Sequence, residues 1–247
     1  MLRRIKELIG YKLAAKDGEI GKTKDLFFDD RSWGIRYLVA ATGGWLSGRK
    51  VVIPRVVLGE PDWNRQLFPV ELTIKQLEDS PPIAEHEPVS RQHETSLHEH
   101  LHIDPYWVVA PPGGVFAFAE RAAEMGKEKS RAAKGDGDPH LRSCTEVTGY
   151  HIQALDGEVG HVEDFIVDDD KWLVRYLVVD LNNLLPGRKV LLAVQWIDRI
   201  NWSESKVHVD LESDRVKAAP EFESHSPVKR RFEERMYDYY GRPSYWR

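Results

Sequence analysis

With 247 residues, 30% of them charged and a formal net charge of −5, the chain has a globular composition and a surface that repels phosphate backbones unless a local basic patch intervenes. Cys144 is the single cysteine, which excludes an internal disulfide and a multi-cysteine zinc site. No stretch approaches the roughly 18 apolar residues of a membrane span, so a soluble cytoplasmic protein is the expectation.

The run Met1-Leu-Arg-Arg-Ile-Lys-Glu-Leu starts charged and has no apolar stretch after it, unlike a targeting signal. Strand-like runs then flank Asp17-Gly18, and Asp-Gly between apolar runs predicts a hairpin, because both residues tolerate the positive φ of a type I′ turn. A second turn at Asp29-Asp30 precedes an apolar run, and Gly48-Arg49-Lys50-Val51 opens another. Val89, His93, Leu97 and Leu101 then recur every four residues, which predicts one face of an amphipathic helix. Tyr106-Trp107 closes this tail as an aromatic anchor on the barrel. Residues 108–139 carry Pro111-Pro-Gly-Gly114 and Gly135-Asp-Gly-Asp-Pro139 and read as a linker, with one short helix from Phe118 to about Ala133.

After the linker the pattern starts again. Shifting the sequence by 139 positions lays residues 1–107 on 140–246 without a gap, and 34 of the 107 pairs are identical. Asp156-Gly157 repeats the hairpin, Asp168-Asp169 the second turn, Arg188-Lys189 the basic pair, and Val228, Phe232, Met236 and Tyr240 the helical stripe before Tyr245-Trp246. Five or six short strands per copy predict a small antiparallel barrel. The expected fold is mainly β: two tandem barrels, residues 1–107 and 140–247, each followed by a short amphipathic helix, joined by the linker 108–139 in a pseudo-two-fold arrangement. Trp33 with Trp172, Leu38 with Leu177 and Val51 with Val190 are expected in equivalent, largely buried positions. The helices 89–101 and 228–240 are expected to cover the seam or clamp the opposite barrel.

The order Asp-Gly-Glu-Ile/Val-Gly, a following Asp, Arg-Tyr-Leu-Val and then Gly-Arg-Lys-Val resembles the PRC-barrel family over residues 8–82 and 147–221. Leu185-Pro-Gly-Arg-Lys-Val-Leu-Leu192 is its most specific piece; the first copy has Ser47 where that motif has proline. Related barrels form the cytoplasmic part of the photosynthetic reaction-centre H subunit and the C-terminal domain of a ribosome maturation factor. This chain lacks the membrane helix of the one and the RNA-processing domain of the other. The resemblance implies a protein-contact module without catalytic residues.

Candidate site residues each have a plainer reading. The pairs Asp29-Asp30 and Asp168-Asp169 serve turns, and Asp25 with Arg36 and Asp164 with Arg175 are placed to face across a hairpin. His93, His98, His100 and His102 include an i, i+4 pair of the kind that suits a metal, but their counterparts Phe232, Tyr237, Tyr239 and Gly241 favour a half-buried ring position, so no metal site is assigned. Arg49, Lys50, Arg188 and Lys189 beside a glycine turn, and Lys229, Arg230, Arg231 and Arg235 on the last helix, are the candidate contacts for an anionic partner. Among them Glu233, Glu234 and Asp238 supply neutralising neighbours. Cys144 corresponds to Ile5 and has no histidine beside it, which argues against a nucleophile. No catalytic residue and no cofactor is expected. The leading reading is a non-enzymatic scaffold or adaptor that binds another protein. The alternatives are an RNA- or ribosome-associated regulator using the basic C-terminal segment, and a reaction-centre H-subunit-like assembly or electron-transfer accessory without a membrane anchor.

Overall fold

The structure is a computed structural model that describes residues 1–42, 50–81, 91–106, 140–182, 187–201, 203–223 and 227–246. Arg49, the linker with its expected helix, and Trp107 lie outside the described residues.

Copy one contributes β1 (Leu2–Arg4), α1 (Ile5–Leu8), β2 (Lys12–Ala15), β3 (Gly18–Asp29), β4 (Ile35–Ala41), β5 (Lys50–Pro54), β6 (Leu67–Pro69), α2 (Ile74–Glu78) and α3 (Arg91–Leu101). Copy two continues with β7 (Leu141–Ser143), α4 (Cys144–Val147), β8 (His151–Ala154), β9 (Gly157–Asp168), β10 (Leu173–Asp180), β11 (Lys189–Ala193), β12 (Ile197–Asn201), β13 (Lys206–Val209), α5 (Ser213–Lys217) and α6 (Arg230–Tyr240). The protein is mainly β, with two sheets. One is ordered β11-β10-β9-β8-β13-β12 with β1 added to β9; the other is β5-β4-β3-β2-β6 with β7 added to β3. Both orders are open paths among the described residues.

Each sheet departs from the expected all-antiparallel pairing at one place. β2 runs parallel to β6, and β8 parallel to β13. The reason lies at the 3-10 turn Val194–Trp196, which bends the chain from β11 into β12 without reversing it. The hairpin β12–β13 then brings β13 back running with β8.

The described chain packs as two compact units: Met1–Gly10 with Asp25–Arg36 and Arg142–Arg247, and Tyr11–Lys24 with Tyr37–Leu141. In the first, Tyr176, Leu177, Val190, Leu192 and Trp196 are buried; in the second, Leu13, Tyr37, Leu38, Val51 and Phe68. Of the three pairs expected in the core, Leu38 with Leu177 and Val51 with Val190 are buried in both copies. Trp172 is buried, but Trp33 is only half-buried and stacks on Phe28 at 5.3 Å. Both tryptophans adopt the left-handed backbone region, with φ of 58° and 53°, which bulky side chains avoid. Gln66 with Ser205, and His102 with Gly241, share the same conformation, so the two copies turn at the same places. At Gly21 and Gly160 a Cβ would overlap the backbone carbonyls of Ala41 and Asp180, which is why neither copy replaces this glycine.

The Asp-Gly turns also organise a helix. Asp17 accepts the Ile74 amide at 2.8 Å and Asp156 accepts the Ser213 amide at 2.7 Å, so each hairpin caps a helix start, α2 or α5. The tails form helices at matching positions, α3 and α6. Their hydrogen bonds and ring contacts reach their own copy: His100 bonds the Gln76 carbonyl, and Tyr240 packs 4.5 Å from Trp196. These two contacts lie within one copy and are not a clamp on the opposite barrel.

Candidate functional site

Two kinds of polar centre stand out. The first holds the strands β1 and β7, and both of its halves lie in the unit that contains Met1–Gly10, Asp25–Arg36 and Arg142–Arg247. Strand β1 comes from copy one but pairs antiparallel with copy two's β9, with Arg3 opposite Val167 and Arg4 opposite Ile166. Reciprocally, β7 of copy two pairs with β3 of copy one. The copies exchange their first strands.

Asp164 is 1% exposed and receives Arg4 Nε at 2.7 Å and the Lys6 and Phe165 amides. Its counterpart Asp25 receives the Ser143 hydroxyl at 2.5 Å and the Thr145 and Leu26 amides. Two further carboxylates serve the same strands, Asp30 binding Arg142 at 2.7 Å and Asp169 binding Arg3 at 3.4 Å. The expected pairs Asp25 with Arg36 and Asp164 with Arg175 therefore do not form. Both aspartates are consumed by the incoming strand, while Arg36 bonds Ser32 and Arg175 bonds Asp168. Asp29 plays the expected turn role, accepting the Arg31 and Ser32 amides.

Burial pushes both Asp25 and Asp164 carboxyls up against the pull of their donors. Burial, with these two aspartates next, also holds the Cys144 thiol protonated. A carboxyl raised above its unfolded value keeps its proton to higher pH in the fold. Its contribution to stability is complete below the unfolded pKa and is lost as pH rises through the folded one. Asp164 has Arg4 as a cation; the charged partner is replaced at Asp25 by a hydroxyl. Asp25→Asn keeps one oxygen for the two amides and offers an N–H to Ser143. It is expected to raise the melting temperature at pH 7 by about 2 to 4 °C, the shift that accompanies 1 kcal/mol in a chain of this size. The gain should fade as the pH is lowered and Asp25 takes up its proton; a lower melting temperature at pH 7 would show that the buried charge at Asp25 is not a cost to the fold.

The second centre fastens the tail helices. Glu94 and Glu233 are buried, at 0% and 1% exposure. Tyr37 and Tyr106 donate to Glu94 Oε1 at 2.5 and 3.1 Å, and Tyr176 and Tyr245 to Glu233 Oε1 at 2.5 and 3.0 Å. In copy one His98 adds its Nε2 at 3.2 Å from the Tyr37 hydroxyl; in copy two Arg230 lies 3.0 Å from Glu233 Oε2. Burial and then Glu233 push the Tyr176 and Tyr245 phenols up, and burial takes Tyr237 up to about 12. These hydroxyls remain donors across the physiological range. Arg175 stacks on Tyr245 at 4.1 Å and Arg230 on Trp246 at 4.0 Å, so the Tyr-Trp pair anchors the tail. Nothing in the residue types singled these carboxylates out, yet a signal was present: Tyr37 and Tyr176, Glu94 and Glu233, and Tyr106 and Tyr245 are identical across the copies.

The candidate anion contacts are dispersed. Arg188 bonds the Lys217 and Ala219 carbonyls at the C-terminal end of α5, and Lys189 pairs with Glu163 at 2.7 Å. Arg230 is committed to Glu233, Arg235 lies 5.2 Å over Phe232, and Lys50 starts β5. Lys229 and Arg231 are exposed. Of the histidines, His98 is buried between Tyr37 and Tyr106, His100 bonds Gln76, and His102 is exposed; the His93 side chain lies outside the described residues. The carboxylates of Asp168, Asp169 and Asp170 lie within 4.8 Å of one another, but Arg175 and Arg3 already occupy the first two, and the counterpart of Asp170 is Arg31.

The fold and these centres define a duplicated, mainly β chain whose copies exchange strands and whose helices are locked by buried carboxylates. Residues 2–66 match the PRC-barrel domain, and the chain carries a PRC-barrel domain over that stretch. Copy two repeats its elements in the same order with one strand, β12, added. No curated protein matches the sequence. Among the described residues no helix is long and apolar enough to cross a membrane.

Proposed function

We propose that the chain is a non-enzymatic adaptor in the cytoplasm whose two copies, both PRC barrels, bind another protein. The PRC-barrel match carries this reading, since domains of this family serve as interaction and assembly modules. The use of polar groups supports it. Arg188, Lys189 and Arg230, which a phosphate-binding surface would present to a ligand, are spent on internal carbonyls and carboxylates. The RNA-binding alternative is left mainly with Lys229, Arg231 and Arg235, beside exposed Glu234.

Full-length protein immobilised in native extract separates the two. An adaptor should retain a stoichiometric protein partner through washes of about 0.5 M salt, whereas phosphate contacts lose affinity steeply over that range. Recovery of nucleic acid alone, released as salt rises, would overturn the adaptor reading.

A further inference from the structure

The strand β1 and its seat on β9 match charge for charge. Arg3, Arg4 and Lys6 present three cations, and Asp169, Asp164 and Glu163 present three carboxylates. Arg4 Nε lies 2.7 Å from Asp164, Arg4 Nη2 3.7 Å and Lys6 Nζ 3.6 Å from Glu163, and Arg3 Nε 3.4 Å from Asp169. Backbone pairing over Leu2–Arg4 sets the register. The counterparts are different: Lys24 stands where Glu163 stands, and Ser143 and Thr145 stand where Arg4 and Lys6 stand. The seat on copy two is thus built for a basic strand, and β7, with one cation at the equivalent positions, would leave it under-neutralised.

We propose that the Glu163–Asp164–Asp169 face of β9 is a strand-docking site selective for a basic extended segment, and that a second copy of this chain can supply that segment by reciprocal exchange of residues 2–8. Within one chain the two copies already trade this strand, each completing the other's sheet. The same surfaces are available when the copies sit on different chains. The docked segment is joined to β2 through Ile9, 38% exposed, and Gly10, whose φ of 87° and empty surroundings give the connection room to turn. Nothing covalent ties it to the seat, and recognition is by strand addition and charge. A tethered segment acts at an effective concentration of order 1 mM, so exchange between chains should become comparable with internal docking near that chain concentration.

The test uses the native full-length protein. Equal amounts of unlabelled and 15N-labelled chain are equilibrated together in mild denaturant, returned to buffer, and joined by a carbodiimide that links amines to adjacent carboxylates. Two links to Glu163 are expected, from Lys6 at 3.6 Å and from Lys189 at 2.7 Å. The Lys189 link lies within one sheet and should stay isotopically pure. The Lys6 link should be isotopically mixed in about a quarter of cases at roughly 1 mM chain and in about 1% or fewer at roughly 10 µM. Arg4→Glu should cut the total yield of the Lys6 link, taken relative to the Lys189 link, at least about fivefold, and Arg4→Lys should restore most of it. A Lys6 link as isotopically pure as the Lys189 link at 1 mM would overturn exchange between chains. Its absence while the Lys189 link forms would overturn the seat itself, and a relative Lys6-link yield indifferent to Arg4→Glu would overturn its selectivity.

Discussion

Leu177→Ala is expected to lower the unfolding free energy by about 2 to 5 kcal/mol, the range for deleting a fully enclosed leucine side chain where the surroundings close only partly on the cavity. Leu177 has no exposed surface. It stands in the middle of β10, opposite Phe165 of β9 and Leu192 of β11, both buried as well. With sheet neighbours hydrogen-bonded on both sides, the backbone cannot move in to refill the space. Urea unfolding followed by tryptophan fluorescence should show a lower midpoint with an unchanged slope. A loss below about 0.5 kcal/mol would be the behaviour of a surface position and would contradict the packing. Leu38, its counterpart, is equally enclosed and faces Ile53, so Leu38→Ala should cost a similar amount.

Glu233→Ala should cost about 3 kcal/mol, because it leaves two tyrosine hydroxyls without their acceptor at roughly 1 to 3 kcal/mol for each buried group, and deprives Arg230 of its partner. Glu233→Gln keeps an oxygen for the hydroxyls but turns an amide toward the Arg230 guanidinium, and should cost about 1 kcal/mol. The two effects of Tyr176→Phe and Glu233→Ala should not add, since each removes the same bond. A double variant as destabilised as the sum of the singles would show that the Tyr176–Glu233 contact is not the source. Near-neutral Glu233→Ala would mean the helix is held by Met236, Tyr237 and Tyr240 alone. The outcome bears on the proposed adaptor role, for α6 carries exposed Arg231 and Glu234, and a helix released there changes the surface that an adaptor would present.

The duplication, the Asp-Gly hairpins, the order of strands and the two tail helices were legible in the amino-acid sequence, because each depends on neighbours within a few residues: turn chemistry, alternation, a stripe at helical spacing. The PRC-barrel resemblance rested on the same local runs. Leu38, Leu177, Val51 and Val190 could be placed in the core for a related reason, since apolar identity kept by both copies is most simply the mark of a buried position. The lock was half visible. Its six residues are identities across the copies, but a glutamate on a helix ordinarily faces water, and only the packed strands show that Glu94 and Glu233 face inward to two phenols.

The strand exchange was hidden altogether. Backbone pairing is indifferent to which copy supplies β1, since Leu2-Arg3 and Leu141-Arg142 read alike as short strands. What discriminates them is a set of charges about 160 positions away, where Glu163 in one copy answers Lys24 in the other. Local turn and patterning rules were enough to establish two copies of one mainly β fold. Long-range packing alone settled that Asp25 and Asp164 receive an exchanged strand instead of Arg36 and Arg175, because burial makes a carboxylate take whichever donors the fold delivers to it.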